Sequence, residues 1–241
     1  MASPAVLVDA RQIPIGAHAL SFHASPEEAA DQAAGFLDGA PQEQAARFWV
    51  PDDRTAKVYS DVTARQSPEH VGCIAILPTE QVEPVDGKLR PIAEIREYIR
   101  AHPEGVTAAA GTISSYLTDE NVPAHVEYES WFDAQERDNS RFLCPYDLRR
   151  VPPEAAPQLM HDLGAHHSHV VLSHSDEPGA LLLELFIFDS VQEIPPLLHQ
   201  TLGWAVANDL VRTNGADMPL TLTPGGESAV RDWGERSSVD Y

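Results

Sequence analysis

Short apolar runs alternate with helix-forming segments along this chain of 241 residues, and that alternation sets its fold class. The 71–77 run, VGCIAIL, is almost continuously apolar, which favours a central parallel strand covered on both faces. Repeated strand–helix–strand units predict a three-layer α/β fold, with a mostly parallel sheet flanked by helices. The expected strands are 18–22, 47–50, 71–77, 141–144, 169–173, 180–188 and 220–223, and the expected helices are 25–37, 53–65, 91–102, 107–118, 122–137, 153–163, 195–212 and 226–233.

The ends of two predicted elements carry local signals of their own. Ser25, Pro26 and Glu28 match the N-cap, the first helical position and the capping-box acid of one helix. An SDEPG turn separates the 169–173 and 180–188 runs, so this pair of strands is expected to form an antiparallel hairpin.

The charge of the chain excludes several kinds of partner. It has 37 acidic and 16 basic residues, a formal net charge of -21, and its only lysines are Lys57 and Lys88. Such a negative surface repels phosphate backbones and anionic lipids, so we expect neither direct nucleic-acid binding nor membrane binding. Acidic residues spread along the chain, with almost no lysine, are typical of a halophilic, archaeal protein, because high salt screens the repulsion between the carboxylates. An ordinary acidic cytosolic protein is the alternative.

Cysteine usage and hydropathy predict a cytoplasmic location. Cys73 and Cys144 are the only cysteines, they lie far apart, and we expect both to be reduced. The N-terminal segment lacks the basic and apolar regions of a signal peptide. No apolar run approaches the roughly 20 residues that span a bilayer.

Motifs for phosphate binding and nucleophilic catalysis are missing from the sequence. The Gly-Lys pair at 87–88 lies in a proline-rich segment and lacks the rest of a P-loop. Neither the dinucleotide-binding G-x-G-x-x-G nor the nucleophile elbow G-x-S-x-G occurs. With two lysines in the chain, phosphoryl chemistry has few cations available. We therefore expect no enzymatic activity and no cofactor.

The densest chemical feature is the histidine run HDLGAHHSHVVLSH at 161–174. If a strand begins near 167, His167 and His169 share one face, and Cys144 from a neighbouring strand could complete a zinc-type site. The alternative is that these histidines end a helix and line a sheet edge. No C-x-x-C or H-E-x-x-H spacing is present, so metal binding stays open and no metal is assigned.

A second group of polar residues lies where a predicted strand ends. Cys144, Tyr146 and Asp147 belong to the sequence CPYD, and ligands bind beyond the carboxyl ends of strands in open α/β sheets. Alternatively, the cysteine is a small buried hydrophobe and the aspartate a turn residue. Glu129 is either a pocket carboxylate or a solvated helix residue, and His18 either a pocket residue or a strand-end histidine.

Two segments resemble the signatures of the MEDS sensory domain of methanogen and methylotroph regulators. They are GAHALSFHASPEEAADQAAGFLDGA at 16–40, and the Tyr-Glu pair at 128–129 followed by RFLCPYDLRRVPPEAAPQLMHDLGAHHSHVV at 141–171. The resemblance implies a RecA/KaiC-like fold without a P-loop, and a role in signal transduction as a sensor of small hydrocarbon derivatives. It implies ligand binding by His18, Phe22, Glu129, Cys144, Tyr146, Asp147 and His166 or His167.

The leading hypothesis is a stand-alone, non-enzymatic sensory or regulatory protein that binds a small-molecule ligand or a regulatory protein partner. Its sensory α/β domain is expected over 1–190, with a C-terminal helical extension over 191–241 packed on the same domain. The alternatives are a protein-interaction module that forms a homodimer without ligand, a winged-helix-like transcriptional regulator built on 218–233, and, ranked lowest, a metal-dependent enzyme.

Overall fold

The computed structural model describes residues 6–79, 93–115, 117, 121–133, 139–152, 154–188, 193–215 and 219–237. The strands in these ranges are β1 Val6–Leu7, β2 His18–His23, β3 Ala45–Val50, β4 Ile74–Ile76, β5 Val106–Ala110, β6 Arg141–Asp147, β7 His169–Val171, β8 Val211–Thr213 and β9 Leu220–Leu222. The helices are α1 Pro26–Asp38, α2 Asp53–Gln66, α3 Ala93–Ala101, α4 Gly111–Ser115, α5 Val122–Asp133, α6 Ala156–Ala165, α7 Pro178–Leu185, α8 His199–Ala207 and α9 Pro224–Ser237.

The main sheet has seven strands in the order β1-β7-β2-β6-β5-β3-β4, and every neighbouring pair is parallel. Helices cover the sheet, and β8 and β9 form a separate antiparallel hairpin near the C-terminus. The predicted fold class is therefore confirmed: a three-layer α/β protein with a parallel sheet and a C-terminal hairpin. None of the described helices has the length and hydrophobicity required to cross a membrane.

The two faces of β2 pack against different helices. Ala19 belongs to a core cluster with Ala30 and Phe36 of α1, whereas Leu20 belongs to a cluster with Leu159 of α6. Side chains alternate along a strand, so α1 and α6 cover opposite faces of the sheet. Because β2 leads into α1 and the adjacent β6 leads into α6, the two connections diverge at the carboxyl ends of these strands. Divergence of this kind creates a crevice in open α/β sheets.

The local signals at the start of α1 act as predicted, and α2 has an N-cap of the same kind. Ser25 Oγ accepts a hydrogen bond from Glu28 N at 3.1 Å, and Glu28 Oε2 accepts one from Ala24 N at 2.7 Å. Asp52 caps α2 in the same way, with Oδ1 accepting from Thr55 N at 2.7 Å. These contacts satisfy backbone donors that a helix N-terminus leaves without intrahelical partners.

The C-terminal elements pack against the same core as the main sheet. Val230 and Trp233 of α9 are buried in one cluster with Leu182 and Phe186. Gly179, in the first turn of α7, lies so close to Trp233 that an added Cβ would be 2.7 Å from the Trp233 Cβ. The glycine therefore permits the close approach of α7 and α9.

The predicted strand at 71–77 is wrong in its position and in part of its length. Residues Pro68–Cys73 form a 3-10 helix, and only Ile74–Ile76 pair, as β4. β4 lies at the edge of the sheet, and Ile76 is 40% exposed. The first part of the apolar run belongs to the 3-10 helix and the next part to β4, and a count of apolar residues does not distinguish the two.

Three further predictions need correction. In the 107–118 segment, the described residues up to Ser115 form the interior strand β5 and the short helix α4, because pairing with β3 and β6 outweighs the helix propensity of the alanines. The 180–188 run is the buried helix α7 and not a hairpin strand, and apolar periodicity alone cannot separate the two. The 195–212 helix is shorter, since α8 ends before β8 begins. The predicted starts of two helices, at 91–92 and 153, and the predicted helix end at 134–137 lie outside the described residues.

Candidate metal centre

Four potential metal ligands from different parts of the fold meet inside the protein. His18 opens β2, Glu129 lies in α5, Cys144 lies in β6, and His167 lies between α6 and β7. Their ligand atoms are all within 4.8 Å of one another. Among the residues that the structure describes, this is the one such group of three or more histidine, cysteine and carboxylate side chains.

The register of the sheet brings two of these side chains together. In the β2–β6 pair, His18 lies opposite Phe142 and Leu20 lies opposite Cys144. His18 and Cys144 therefore point to the same face of the sheet. This is the face covered by α6, which leads directly into His167.

Four of the six distances between the ligand atoms are close to the edge length of a metal-coordination tetrahedron. His18 Nε2 lies 3.2 Å from Cys144 Sγ and 3.4 Å from Glu129 Oε2. Glu129 Oε2 also lies 3.4 Å from Cys144 Sγ and 3.6 Å from His167 Nε2. Tetrahedral zinc, with bonds of ~2.0 Å to nitrogen or oxygen and ~2.3 Å to sulfur, separates neighbouring ligand atoms by roughly 3.3–3.6 Å.

Backbone carbonyls orient both imidazoles. His18 Nδ1 lies 3.1 Å from the His166 carbonyl oxygen, and His167 Nδ1 lies 2.6 Å from the Leu163 carbonyl oxygen. A carbonyl oxygen only accepts hydrogen bonds, so each Nδ1 carries the proton that it donates. The other nitrogen, Nε2, points into the centre, and it offers its lone pair to a metal once it carries no proton. Metal-binding histidines in proteins usually have such a partner on the second nitrogen.

The protonation states suit metal coordination. Glu129 is 1% exposed, and burial by itself would raise its pKa. The hydrogen bond with His18 and the interactions with His167 and Tyr146 outweigh burial and lower the pKa of Glu129 to about 2. Burial lowers the pKa of His167 to about 3, with the nearby His18 as the next cause. The centre therefore presents an ionised carboxylate and a neutral imidazole at neutral pH, as metal ligation requires.

Hydrogen bonds among the four residues leave one buried ligand atom, Nε2 of His167, without a partner. His167 is 4% exposed, and its Nε2 has no hydrogen-bond partner within the described part of the chain. A buried polar atom without a partner costs about 1–3 kcal/mol. A metal ion at the centre would accept the Nε2 lone pair and remove that cost.

The structure brings together five of the side chains that the MEDS resemblance singled out. His18, Glu129, Cys144 and His167 form the centre, and the Tyr146 hydroxyl donates to Glu129 Oε1 at 2.8 Å. That hydrogen bond holds the carboxylate with its other oxygen, Oε2, towards the histidines and the cysteine. Tyr146 is thus a supporting residue.

The other predicted site residues lie elsewhere. His166 contributes only its carbonyl oxygen, which accepts the hydrogen bond from His18. Phe22 is fully buried in the hydrophobic core, and Asp147 lies at the end of β6, paired with Arg149. The prediction that His167 and His169 share one face of a strand and form a metal site together is wrong. The strand β7 starts only at His169, and His169 is not among the four residues of the centre.

Sequence reasoning missed the residues that surround the divergence of β2 and β6. His23, Arg54, Arg149 and Arg150 line a crevice there. Sheet topology could have identified this crevice, because a crevice forms where two adjacent strands lead into helices on opposite faces of the sheet.

Comparisons with protein-family models, with curated proteins and with solved structures yield no significant match for this chain. Its class is therefore defined by the fold and the site alone: a parallel three-layer α/β protein with a buried centre of two histidines, a cysteine and a glutamate. The resemblance to the MEDS domain stays a prediction.

Proposed function

We propose that this chain is a non-enzymatic sensory or regulatory protein that holds a divalent transition-metal ion at the centre. The observation that carries the proposal is the convergence of four ligand atoms within 4.8 Å, with the two histidine Nε2 atoms turned inwards. The MEDS resemblance assigns ligand binding to His18, Glu129 and Cys144, and to His167 as one of two alternatives.

The ligand types favour zinc over the hard cations. Two imidazoles, a thiolate and one carboxylate form a borderline set that suits zinc, cobalt, nickel or copper, whereas calcium and magnesium prefer sites made of oxygen atoms. The spacing of about 3.2–3.6 Å between neighbouring atoms supports a small tetrahedral ion.

The number of ligands supports a sensory or regulatory role over catalysis. Catalytic zinc sites have three protein ligands and keep one position for water or substrate. Here the protein offers four ligand side chains, enough for all positions of a tetrahedral ion, and three of them are at most 4% exposed. An ion bound in this way has no vacant position for a substrate, and it acts by joining the elements that supply its ligands.

Cobalt substitution tests the proposal directly. The purified chain, stripped with a chelator and titrated with Co²⁺ in high salt, is expected to bind one equivalent. It should show thiolate-to-cobalt charge transfer and intense visible bands of tetrahedral cobalt. Cys144→Ser should abolish the charge-transfer absorption, whereas Cys73→Ser, which changes the other cysteine, should preserve it.

Two more variants distinguish a metal centre from an ion pair. Glu129→Gln keeps the shape of the side chain but removes a charged ligand, and it should weaken Zn²⁺ binding by about 10–100-fold or more. His169→Gln, next to the centre in sequence but not part of it, should bind Zn²⁺ like the parent chain. Stoichiometric binding that survives Cys144→Ser and Glu129→Gln together would overturn the proposal.

A further inference from the structure

A crevice of about 600 Å³ opens at the carboxyl ends of the parallel strands, separate from the metal centre. Its walls come from the start of α1, the end of β3, the start of α2 and the segment that follows β6. The volume falls in the range of about 300–1,000 Å³ that is typical of small-molecule sites. The location is the one where open α/β sheets bind ligands, because the connections after β2 and β6 diverge there.

The polar part of the crevice contains a buried histidine without hydrogen bonds. His23, the last residue of β2, is 8% exposed and lines the crevice. Its Nδ1 is buried without a partner, and no hydrogen bond to its Nε2 is present within the described residues. A buried Nδ1 without a partner is costly. A ligand group in the crevice would supply the missing partner.

The formal charges that line the crevice are balanced, unlike those of the chain as a whole. Three basic residues, Arg54, Arg149 and Arg150, and three acidic residues, Glu27, Asp52 and Asp147, line it, and Asp52 already accepts the hydrogen bond from Thr55 N. The Asp147 carboxylate is already engaged, because Arg149 Nε and Nη2 donate to its two oxygens at 2.7 and 2.6 Å. The crevice is thus far less negative than the rest of a protein that carries a net charge of -21.

The backbone and the apolar wall complete the description of the ligand. The N-terminus of the 13-residue helix α1 faces the crevice, and helix N-termini attract anions. Ala29, Val50 and Val58 contribute apolar surface. There is no lysine among the lining residues, and no glycine-rich loop as in a phosphate cradle, so a single carboxylate fits this site better than a polyphosphate.

We infer that this crevice binds a small organic anion, a carboxylate with an apolar body. The carboxylate lies between the α1 N-terminus, His23 and the arginines, and the apolar body lies along Ala29, Val50 and Val58. The site goes beyond the proposed metal binding. If the protein is a sensor, as proposed, this anion would be the ligand that it senses. Binding of the anion itself does not depend on the proposed function.

Hexanoate and its neutral isostere hexanamide provide the test, with binding to the full chain measured by calorimetry at several KCl concentrations. Hexanoate should bind, and hexanamide should bind at least about tenfold more weakly, because a charge-assisted hydrogen bond is stronger than one between neutral groups. Inorganic phosphate should bind more weakly than hexanoate, because it cannot use the apolar wall. Equal affinity for hexanoate and hexanamide, or tighter binding of phosphate, would overturn the inference.

Three charge variants locate the site. Arg54→Gln removes an exposed cation of the crevice and should weaken hexanoate binding severalfold, whereas Arg65→Gln, at the other end of the same helix, should leave it unchanged. Glu27→Gln removes a carboxylate that lines the crevice and should tighten binding. Tighter binding by Arg54→Gln together with weaker binding by Glu27→Gln would indicate a cationic ligand and reject the proposal.

The metal-site variant Cys144→Ser separates this inference from the proposed function. If Cys144→Ser loses Co²⁺ but still binds hexanoate with Arg54 dependence, both proposals hold. If the parent chain binds no Co²⁺ yet binds hexanoate in this way, only the metal proposal fails. If it binds Co²⁺ and hexanoate fails in the parent chain, only the crevice inference fails.

Discussion

Arg141 joins three parts of the chain from a fully buried position at the start of β6. Its guanidinium donates hydrogen bonds to the carbonyl oxygens of Ile13 and Phe36 and, at 3.1 Å, to Thr107 Oγ1. The group also lies over the Phe36 ring, 4.6 Å from the centroid. Burial lowers the pKa of Arg141 to about 10, so the guanidinium stays charged at neutral pH.

Arg141→Lys is expected to lower the free energy of unfolding by about 2–4 kcal/mol, although it preserves the charge. A lysine ammonium cannot reach three acceptors that are arranged for a planar guanidinium, and it would leave buried carbonyls without donors. Urea denaturation of the variant and of Arg65→Lys, an exposed control, measures the difference. A cost below about 0.5 kcal/mol would show that the buried network contributes little.

Glu184 makes the stability depend on pH through a carboxyl group that stays protonated. It is 2% exposed, and burial, reinforced by the Glu28 charge, raises its pKa to about 8 despite a 2.6 Å hydrogen bond from Ser173 N. Between its ordinary pKa of 4.5 and about 8, the folded state retains a proton that the unfolded state has lost. The contribution of Glu184 to stability therefore falls as pH rises through this window and is constant above it.

Glu184→Gln should remove this pH dependence. The glutamine oxygen can still accept the Ser173 N–H but cannot ionise. The variant should be close to the parent in stability near pH 5. Near pH 8–9 it should be more stable by a few kcal/mol, because raising a pKa by one pH unit corresponds to about 1.4 kcal/mol. Urea denaturation across this range checks the expectation, and a stability difference that does not change with pH would mean that Glu184 titrates normally.

Packing between helices α7 and α9 depends on one small residue. An added Cβ at Gly179 would lie 2.7 Å from Trp233 Cβ, whereas one at Gly203 in α8 would have no atom within 4 Å. Gly179→Ala should therefore destabilise the protein by about 1–3 kcal/mol by forcing α7 and α9 apart. Gly203→Ala should be neutral or stabilising by about 0.4–1 kcal/mol, since alanine favours an open helix position. Thermal unfolding of both variants provides the comparison. Equal changes in unfolding temperature would contradict the close contact between Gly179 and Trp233.

Local signals in the sequence predicted elements well where the chain itself determines them. The predicted cap Ser25 places the start of α1 to the residue, and the expected helix at 53–65 agrees closely with α2. β5 and α7 were assigned to the wrong class, because an alanine-rich strand and an all-apolar helix owe their form to neighbours in the fold.

The candidate site was predictable only in part for the same reason. The CPYD and histidine segments drew attention to Cys144 and His167, but their meeting with Glu129 depends on strand register and on helix packing. The contacts that orient the two histidine rings are made by backbone carbonyl oxygens. Every residue has such an oxygen, so the sequence does not indicate these contacts. Crevice residues such as His23 become apparent only when the strand order is known.

Electrostatic repulsion acts on the molecule as a whole. A net charge of -21 on 241 residues opposes the compact state, and mobile ions screen that repulsion, with a Debye length that falls from about 10 Å at 0.1 M salt to about 3 Å at 1 M. We expect the unfolding temperature to rise by several degrees between these KCl concentrations. Differential scanning calorimetry measures it, with sucrose as an uncharged control. A flat or falling response to KCl would contradict a halophilic adaptation.

The four residues of the centre are separated widely along the chain, from His18 to His167. While the protein is being synthesised, His18 leaves the ribosome long before His167, so a nascent chain can offer an arriving ion only part of its coordination shell. Full capture has to wait until β2, α5, β6 and the segment after α6 have assembled. If the centre binds a metal as proposed, loading would mark chains in which these four parts have assembled, and a chain interrupted before residue 167 would hold only a weak, exchangeable ion.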